Sequence, residues 1–552
     1  MIPTVYHVSP PNRTDPTHET SEPDRYWSTV NGREATPLVM TAADWTFWKK
    51  SLELAAMRAW CDLGIVARAE VVFVDDPNQR VTGSFFGRQA VNIDRVRWLM
   101  GCLPGTTGDD VERDIFGVVR PGVVDPPRKV SKLAMARGFP AALRNQSTDV
   151  HRLRAAHHRW WRQSLDDPFS VGSPAKRLLG ARRRFEDAQH VHIRGRSLLQ
   201  GLRSQVQLLA TAAGREDLFG VLTSGMGEME ETAVVDDLWR VAHSQLTLTD
   251  FLRAHGFHGH GEGNLSGRSW REQPEQVERL LAGYAAISPE ERPRRRSAAA
   301  QAARAAAEAE LLGAVPPLKR RVAAWMLRTT VGLTRDLEVS KAGFLLAIDA
   351  GRAACRDLGE ELAKTGTLAD PDDVLHLTVD EAAVHRTADV RELVEYRRER
   401  HAHHCSVAPD DSWTGNPQAK TVAARPDGAP DLRPDCLDGV GGSPGVVVGA
   451  ARVVIDSVAD APPAPGEILV CAMTDPSWAP LFLLSAAVVT DIGGPASHGA
   501  IVARELGVPC VANTRTGTAV ITTGDLLRVD GDAGVVEILE RAPVAPTAGS
   551  LS

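Results

Sequence analysis

The residues best placed to do chemistry lie near the C-terminus, in Asp491-Ile-Gly-Gly-Pro-Ala-Ser-His498-Gly-Ala-Ile-Val-Ala-Arg504-Glu505-Leu-Gly507-Val-Pro509. The apolar run Ala486-Ala-Val-Val-Thr490 before it reads as a buried strand. Gly493-Gly494 permits a sharp turn, and Ser497 is a helix N-cap that sets His498 on the first turn. Gly507 and then Pro509 close the helix as a C′ glycine and a following proline do. An imidazole at this position sits beside free backbone N–H groups and the positive end of the helix dipole, which suits an anion. A nucleophilic nitrogen next to an anion hole is what a phosphorylated histidine requires; the bland alternative is a structural histidine at a helix start.

Such a segment needs elements to hold it, and the chain is long enough to supply several. It has 552 residues, and about 150 residues per domain gives roughly three or four units. Hydrophobic content of 43% with 24% charged residues is ordinary for a soluble globular protein, and the net charge of −7 gives no reason to expect nucleic acid as a partner. The basic runs Arg292-Pro-Arg-Arg-Arg296 and Lys319-Arg-Arg321 read as solvated helical faces. Cysteines at 61, 102, 355, 405, 436, 471 and 510 form no Cys-x-x-Cys, which points to a reducing cytoplasm. The N-terminus lacks the pattern of a signal peptide, and no run of 18 apolar residues predicts a membrane span.

Residues 1–24, rich in Pro, Thr, Asp and Glu, read as a loose leader. Residues 25–404 are dense in apolar residues at helical spacing, as in Trp45–Leu63, Asp237–His255 and Ser297–Leu312. A small hairpin is expected from Glu70–Val74 and Val81–Gly87, joined by Asp75-Asp-Pro-Asn. Residues 405–436, with several prolines and little apolar content, read as a flexible linker of about 30 residues with a reach of roughly 30 Å. Residues 437–540 alternate short strands with tight turns, and 541–552 form a tail. The glycine-rich loop Gly256–Ser266 carries His258, His260 and Glu262, which are candidate general bases and substrate contacts. Two histidine clusters invite a metal reading. The set His255, His258, His260 and Glu262 has no helical pairing of ligands, and His401-Ala-His403-His404-Cys405 reads as an exposed, frayed end of the charged helix Arg391–Arg400. No metal site is therefore expected.

The run Gly493-Gly494-x-x-Ser497-His498-x-Ala-Ile-Val-Ala-Arg504-Glu505-x-Gly507-x-Pro509 resembles the phosphohistidine swivelling domain of phosphoenolpyruvate-utilising enzymes, a family that includes the rifampin phosphotransferases. Gly439–Gly445, Thr474–Phe482 and Thr523–Val536 continue the resemblance. Upstream, Trp27–Pro37, Phe86–Asn92, Leu103-Pro104-Gly105, the loop at 256–266 and Asp370–Thr378 resemble, in the same order, segments of the rifampin phosphotransferase drug-binding region; Asp370–Thr378 matches a turn-and-strand element. Glu338 and Lys341 resemble the family's Arg-Glu-x-x-Lys element, with Leu337 at the arginine position and Arg335 or Arg352 as substitutes.

The resemblance implies a multidomain α+β protein: a large, mainly α-helical substrate-binding domain with a small β element, followed by a β/α phosphohistidine swivelling domain. It implies that His498 carries a phosphoryl group to a hydroxyl of a small organic acceptor. Gly493, Gly494, Ser497, Lys341, Glu338 and Arg504 would hold phosphate, and His258, His260 and Glu262 would meet the substrate. No ATP-grasp sequence is recognised, so a separate ATP-grasp partner is expected to charge the histidine. ATP and Mg²⁺ then enter through that partner, and no cofactor is expected to bind this chain tightly. The alternatives are a non-catalytic ligand-binding or regulatory relative, and an enzyme reusing the shell for elimination chemistry.

Overall fold

The computed structural model describes residues 14–103, 105–113, 119–124, 130–227, 229–290, 292–384, 390–421, 434–474, 476–494 and 497–543, with the backbone alone for residues 296, 297, 476 and 498. Parts of the expected leader (1–13), linker (422–433) and tail (544–552), together with Pro104, Asp475 and the His498 side chain, lie outside the described residues.

Most of the described chain is helical. The helices Ala42–Asp62, Lys132–Asp166, Pro174–Ala212 and Pro317–Lys364 pack side by side. Their shared core holds Trp45, Phe47, Trp48, Trp161, Phe185, Leu346 and Ile348. The first of them starts at a capping box, in which Thr41 Oγ1 accepts from Asp44 N and the Asp44 carboxylate accepts from Thr41 N. The stretch Asp237–His255 is two helices, Glu230–Ala242 and Leu248–His255, because Ser244 turns the chain at φ 57°. Asp370–Thr378 contains no strand; Pro371–His376 is a 3₁₀ helix capped by Asp370.

Strands β1 (Tyr26–Ser28), β2 (Thr82–Phe85), β3 (Arg88–Asn92), β4 (Val407–Ala408), β5 (Ser412–Thr414) and β6 (Lys420–Thr421) accompany the helices. The first, second, third and fifth form an antiparallel sheet in the order β2-β3-β1-β5, and β4 pairs with β6. The hairpin is thus one strand later than expected. Phe86 and Gly87 both take positive φ, 48° and 65°, which makes the two-residue turn whose twist suits adjoining strands. Asp75-Asp-Pro-Asn instead leads into a 3₁₀ turn capped by Asp76.

Two segments expected to be loose are packed. In the leader, Glu19 N donates to Ser84 O at 2.8 Å, and Trp27 Nε1 donates to Ser21 Oγ at 2.7 Å. In the linker, β5 pairs with β1 and buries Trp413 against Phe85. The helix expected to end near Arg400 runs over Arg391–Ser406. His404 is not a frayed end: it is fully buried, 3.3 Å from the Asp15 carboxylate and from Thr17 Oγ1.

The C-terminal part is an eight-stranded sheet. Its strands are β7 (Cys436–Asp438), β8 (Val440–Ser443), β9 (Val446–Val453), β10 (Ile468–Cys471), β11 (Ala487–Thr490), β12 (Cys510–Ala512), β13 (Leu526–Asp530) and β14 (Val535–Glu540). The order is β7-β14-β13-β9-β10-β11-β12-β8. The central four, β9-β10-β11-β12, are parallel, and the fully buried runs of β10, β11 and β12 fit a sheet covered on both faces there. The helix His498–Leu506 is the crossover from β11 to β12.

Candidate functional site

The helix His498–Leu506 is built as its sequence directs. The Asp491 carboxylate, just past β11, accepts from Thr514 Oγ1 at 3.1 Å and Thr518 N at 3.1 Å, and it also accepts from Thr518 Oγ1. These contacts anchor the strand end before the turn. Gly493 takes φ 145°, and a Cβ there would stand 3.1 Å from Ser497 Oγ. Ser497 Oγ accepts from Ala500 N at 3.4 Å as N-cap, and Gly507 ends the helix at φ 65°. Around Gly494 the space is open.

This helix is docked on the helical region. Glu505 Oε1 and Oε2 each lie 3.2 Å from Met226 N. Burial pushes the Glu505 carboxyl up, against the pull of hydrogen bonds from Met226 and Gly225. Tyr284 OH donates to Pro480 O at 3.0 Å, and Arg279 donates to Val458 O. Phe482 and Leu484 share one apolar cluster with Trp239, Val277 and Tyr284.

The docked helix helps to close a cavity of about 360 Å³. Ile501, one turn after His498, lines it. Trp48, Trp60, Met100, Phe344 and Leu345 form its apolar wall; Glu34, His192, Arg196, Glu262, Glu338 and Lys341 supply polar groups. A mostly apolar cavity with a few convergent polar groups is the usual form of a small-molecule site.

Lys341 Nζ lies 2.6 Å from Glu231 Oε1 and 4.0 Å from Glu338 Oε2. Burial alone would lower the Lys341 pKa, but the carboxylates of Glu231, Glu338 and Glu262 raise it, so the ammonium stays charged. Burial, then the charge on Glu231, holds the Glu338 carboxyl well above the usual range. Its Oε2 has no hydrogen-bond partner among the described residues. Glu262 accepts a hydrogen bond from or shares a proton with His258, Nδ1 to Oε2 at 2.8 Å, and both are buried. The loop that carries them is clamped: Trp48 Nε1 donates to Gly263 O at 2.8 Å, and Ser266 N donates to Asp44 Oδ1 at 3.0 Å.

The cavity brings Glu338, Lys341 and Glu262 together, with His258 behind Glu262. It does not gather all the expected residues. His260 points away and meets Ser457 Oγ at 3.2 Å. Arg504 lies in the last turn of the His498–Leu506 helix, about 9 Å along its axis from His498. Burial and the neighbouring Arg203 push its pKa down to about 10. Neither expected substitute for the missing arginine lines the cavity. Arg335 Nε donates to Met226 O at 2.6 Å, and Arg352 Nη2 donates to Asn264 O at 2.9 Å and Glu262 O at 3.2 Å.

Sequence reasoning missed His192, Arg196 and Arg203 on the Pro174–Ala212 helix. Their spacing of four and seven places them on one helical face, the only signal available. His192 Nδ1 lies 2.9 Å from Ser340 Oγ. Burial, with Arg196 and Lys341 adding to it, pushes its pKa down to about 3, so the ring is neutral at physiological pH. Among the described residues no group of three or more His, Cys, Asp or Glu is placed to hold a metal ion.

Residues 463–534 match the family described as the PEP-utilising enzyme, mobile domain. Residues 243–336, which hold the glycine-rich loop, match the rifampicin phosphotransferase fourth domain. The chain is rifampicin phosphotransferase-like, with a PEP-utilising mobile domain. The mobile-domain match covers β10, β11, the helix His498–Leu506 and β12. Over 182 residues the chain is 41% identical to the rifampicin phosphotransferase of Streptomyces sviceus, covering 33% of this chain and 20% of that protein. It is 28% identical over 297 residues to the rifampicin phosphotransferase of Bacillus subtilis, 52% of this chain and 34% of that one. An uncharacterized protein of Mycobacterium tuberculosis is 32% identical over 341 residues, 61% of this chain and 36% of its own length. The chain thus spans about a third or less of the length of these relatives. No helix among the described residues is long and apolar enough to cross a membrane.

Proposed function

We propose that this protein is a phosphotransferase component, in which His498 carries a phosphoryl group to a hydroxyl of a small organic acceptor held in the cavity. One observation carries the reading: Ile501 of the carrier helix lines the same cavity as Glu338 and Lys341. Docking therefore puts the helix that begins at His498 against the acceptor space. The likeness to rifampicin phosphotransferases and to the PEP-utilising mobile domain supports the same chemistry.

In the transfer, the bond from the imidazole nitrogen to phosphorus breaks and a bond from the acceptor oxygen to phosphorus forms. The hydroxyl proton passes to the Glu338 carboxylate, which lines the same cavity. Lys341 stays charged beside the transferred group. The other ring nitrogen of phosphorylated His498 takes a proton from solvent before transfer, so the ring leaves as neutral imidazole, and Glu338 then returns the hydroxyl proton to solvent. We further propose that an ATP-grasp partner performs the charging, with ATP and Mg²⁺ bound there. Splitting one difficult transfer into two steps through a covalent carrier is the advantage of this arrangement.

Discharge tests the reading. The full chain is charged with ³²P-phosphoramidate, a small donor that phosphorylates histidine, and then given rifampicin as a first acceptor, followed by other apolar hydroxyl compounds. Label should pass from protein to one class of acceptor in the wild type and remain bound in Lys341→Met. Equal loss of label to water with and without every acceptor would contradict the acceptor role of the cavity.

A further inference from the structure

The cavity holds a cation that the proposed chemistry has not yet used. Arg196 lines the cavity, and its side chain is exposed. It forms no hydrogen bond or ion pair among the described residues, although Glu34 and Glu338 are near enough to attract it. Lys341, by contrast, is tied to Glu231 at 2.6 Å. Desolvation by the surrounding protein lowers the Arg196 pKa from its ordinary value, but a guanidinium remains charged at any physiological pH. A cation that faces a cavity without a protein partner is free to hold an anion that enters it.

The packing explains how this arginine reaches the site. Gly195 lets the Pro317–Lys364 helix come close: a Cβ there would stand 3.2 Å from Leu337 Cδ2 and 2.6 Å from Gln146 Nε2. Leu337 fills that space with an apolar side chain, and the residue after Gly195 opens on the same cavity as Glu338. The cationic position at Leu337 is empty of charge, and Arg196 faces the cavity from the opposite helix.

We propose that Arg196 is the phosphoryl-gripping residue of this cavity, binding the non-bridging oxygens of the group in transfer. This rests on the phosphotransfer reading above. As the nitrogen–phosphorus bond breaks, the oxygen–phosphorus bond forms and the proton moves to Glu338, those oxygens keep their negative charge. A planar guanidinium can hold two of them at once, which the ammonium of Lys341 cannot.

The test uses the full chain and inorganic phosphate, with the fluorescence of the cavity-lining Trp48 and Trp60 as readout and calorimetry as a second measure. Wild type should bind phosphate saturably at low ionic strength. Arg196→Gln should weaken binding at least tenfold, and Arg196→Lys should fall between the two. Thermal melting of Arg196→Gln should stay close to that of wild type, because the side chain makes no hydrogen bond or ion pair among the described residues; a merely structural arginine would lower it. Phosphate binding that is the same in wild type and Arg196→Gln, or absent from wild type, overturns the proposal. His498→Ala should leave phosphate affinity within about threefold of wild type. If His498 cannot be charged while Arg196 still governs phosphate affinity, the carrier reading falls and the anion site stands.

Discussion

Glu505, on the carrier helix, holds the backbone N–H of Met226 between its two carboxylate oxygens, each 3.2 Å away. The pair joins two regions separated by 279 positions and holds the helix His498–Leu506, whose Ile501 lines the cavity, against the helical region. Glu505→Ala leaves the Met226 N–H buried without an acceptor, and the loss should be about 1.5–3 kcal/mol of docking free energy. Glu505→Gln, which keeps an accepting oxygen, should lose less. Hydrogen–deuterium exchange of Val502–Leu506 and Met226 should speed up together in Glu505→Ala; unchanged exchange would show that the contact does not hold the domain.

The same carboxylate makes docking depend on pH. Its docked pKa is raised, so the docked state takes up a proton as pH falls from neutral toward the ordinary carboxylate range. Docking should therefore tighten on mild acidification. Glu505→Gln should flatten this dependence in the same exchange experiment.

Lys341 neutralises the carboxylates around it, so its removal affects both stability and chemistry. Lys341→Met leaves Glu231 and Glu338 facing each other without a cation, a loss of about 3–5 kcal/mol for breaking a buried pair from one side. Transfer to the acceptor should fall by about 10²–10³ or more, as when one preorganised charge-stabilising group is removed. Denaturant melts and single-turnover discharge separate the two effects. Normal discharge in a destabilised Lys341→Met would remove Lys341 from the chemistry.

Several buried histidines set the acid limit of the fold. His192 is pushed down to about 3 and His157 to about 4, each chiefly by burial. A histidine with a lowered folded pKa binds its proton more weakly in the folded state than in the unfolded chain. Stability is therefore lost as pH falls below about 6.5, and the loss continues to about pH 4 for His157 and about pH 3 for His192. His192→Gln should reduce that slope by one histidine's share, read as melting temperature between pH 7 and 4. The same slope in both proteins would contradict the assignment.

The carrier segment was legible because its signals are local. Gly493, Ser497 and Gly507 specify a turn, a cap and a C-cap within 15 residues, and the structure places a turn, a cap and a C-cap there. Gly493→Ala should cost about 1–2 kcal/mol through the strained φ and the crowded cap, a loss that thermal melting measures. The hairpin was read one strand early because the turn pair Phe86-Gly87 puts a bulky residue at positive φ, which sequence gives no reason to expect. The cavity was only partly legible. Its polar groups come from the loop at 256–266 and from the Pro174–Ala212 and Pro317–Lys364 helices, and nothing in the chain announces that Arg196 and Glu338 face one space. The burial of His404 is not legible for a related reason: its partners, Asp15 and Thr17, are nearly 400 residues away.

The central claim is that His498 carries phosphate, and direct detection of phosphohistidine tests it. The full chain is treated with phosphoramidate, and separately with ATP, Mg²⁺ and an ATP-grasp protein, and is examined by ³¹P NMR and by peptide mass spectrometry under alkaline conditions. The prediction is one acid-labile, alkali-stable phosphoryl group on His498 that is missing from His498→Ala. Wild type that stays as unlabelled at this position as His498→Ala, under both charging conditions, would contradict it.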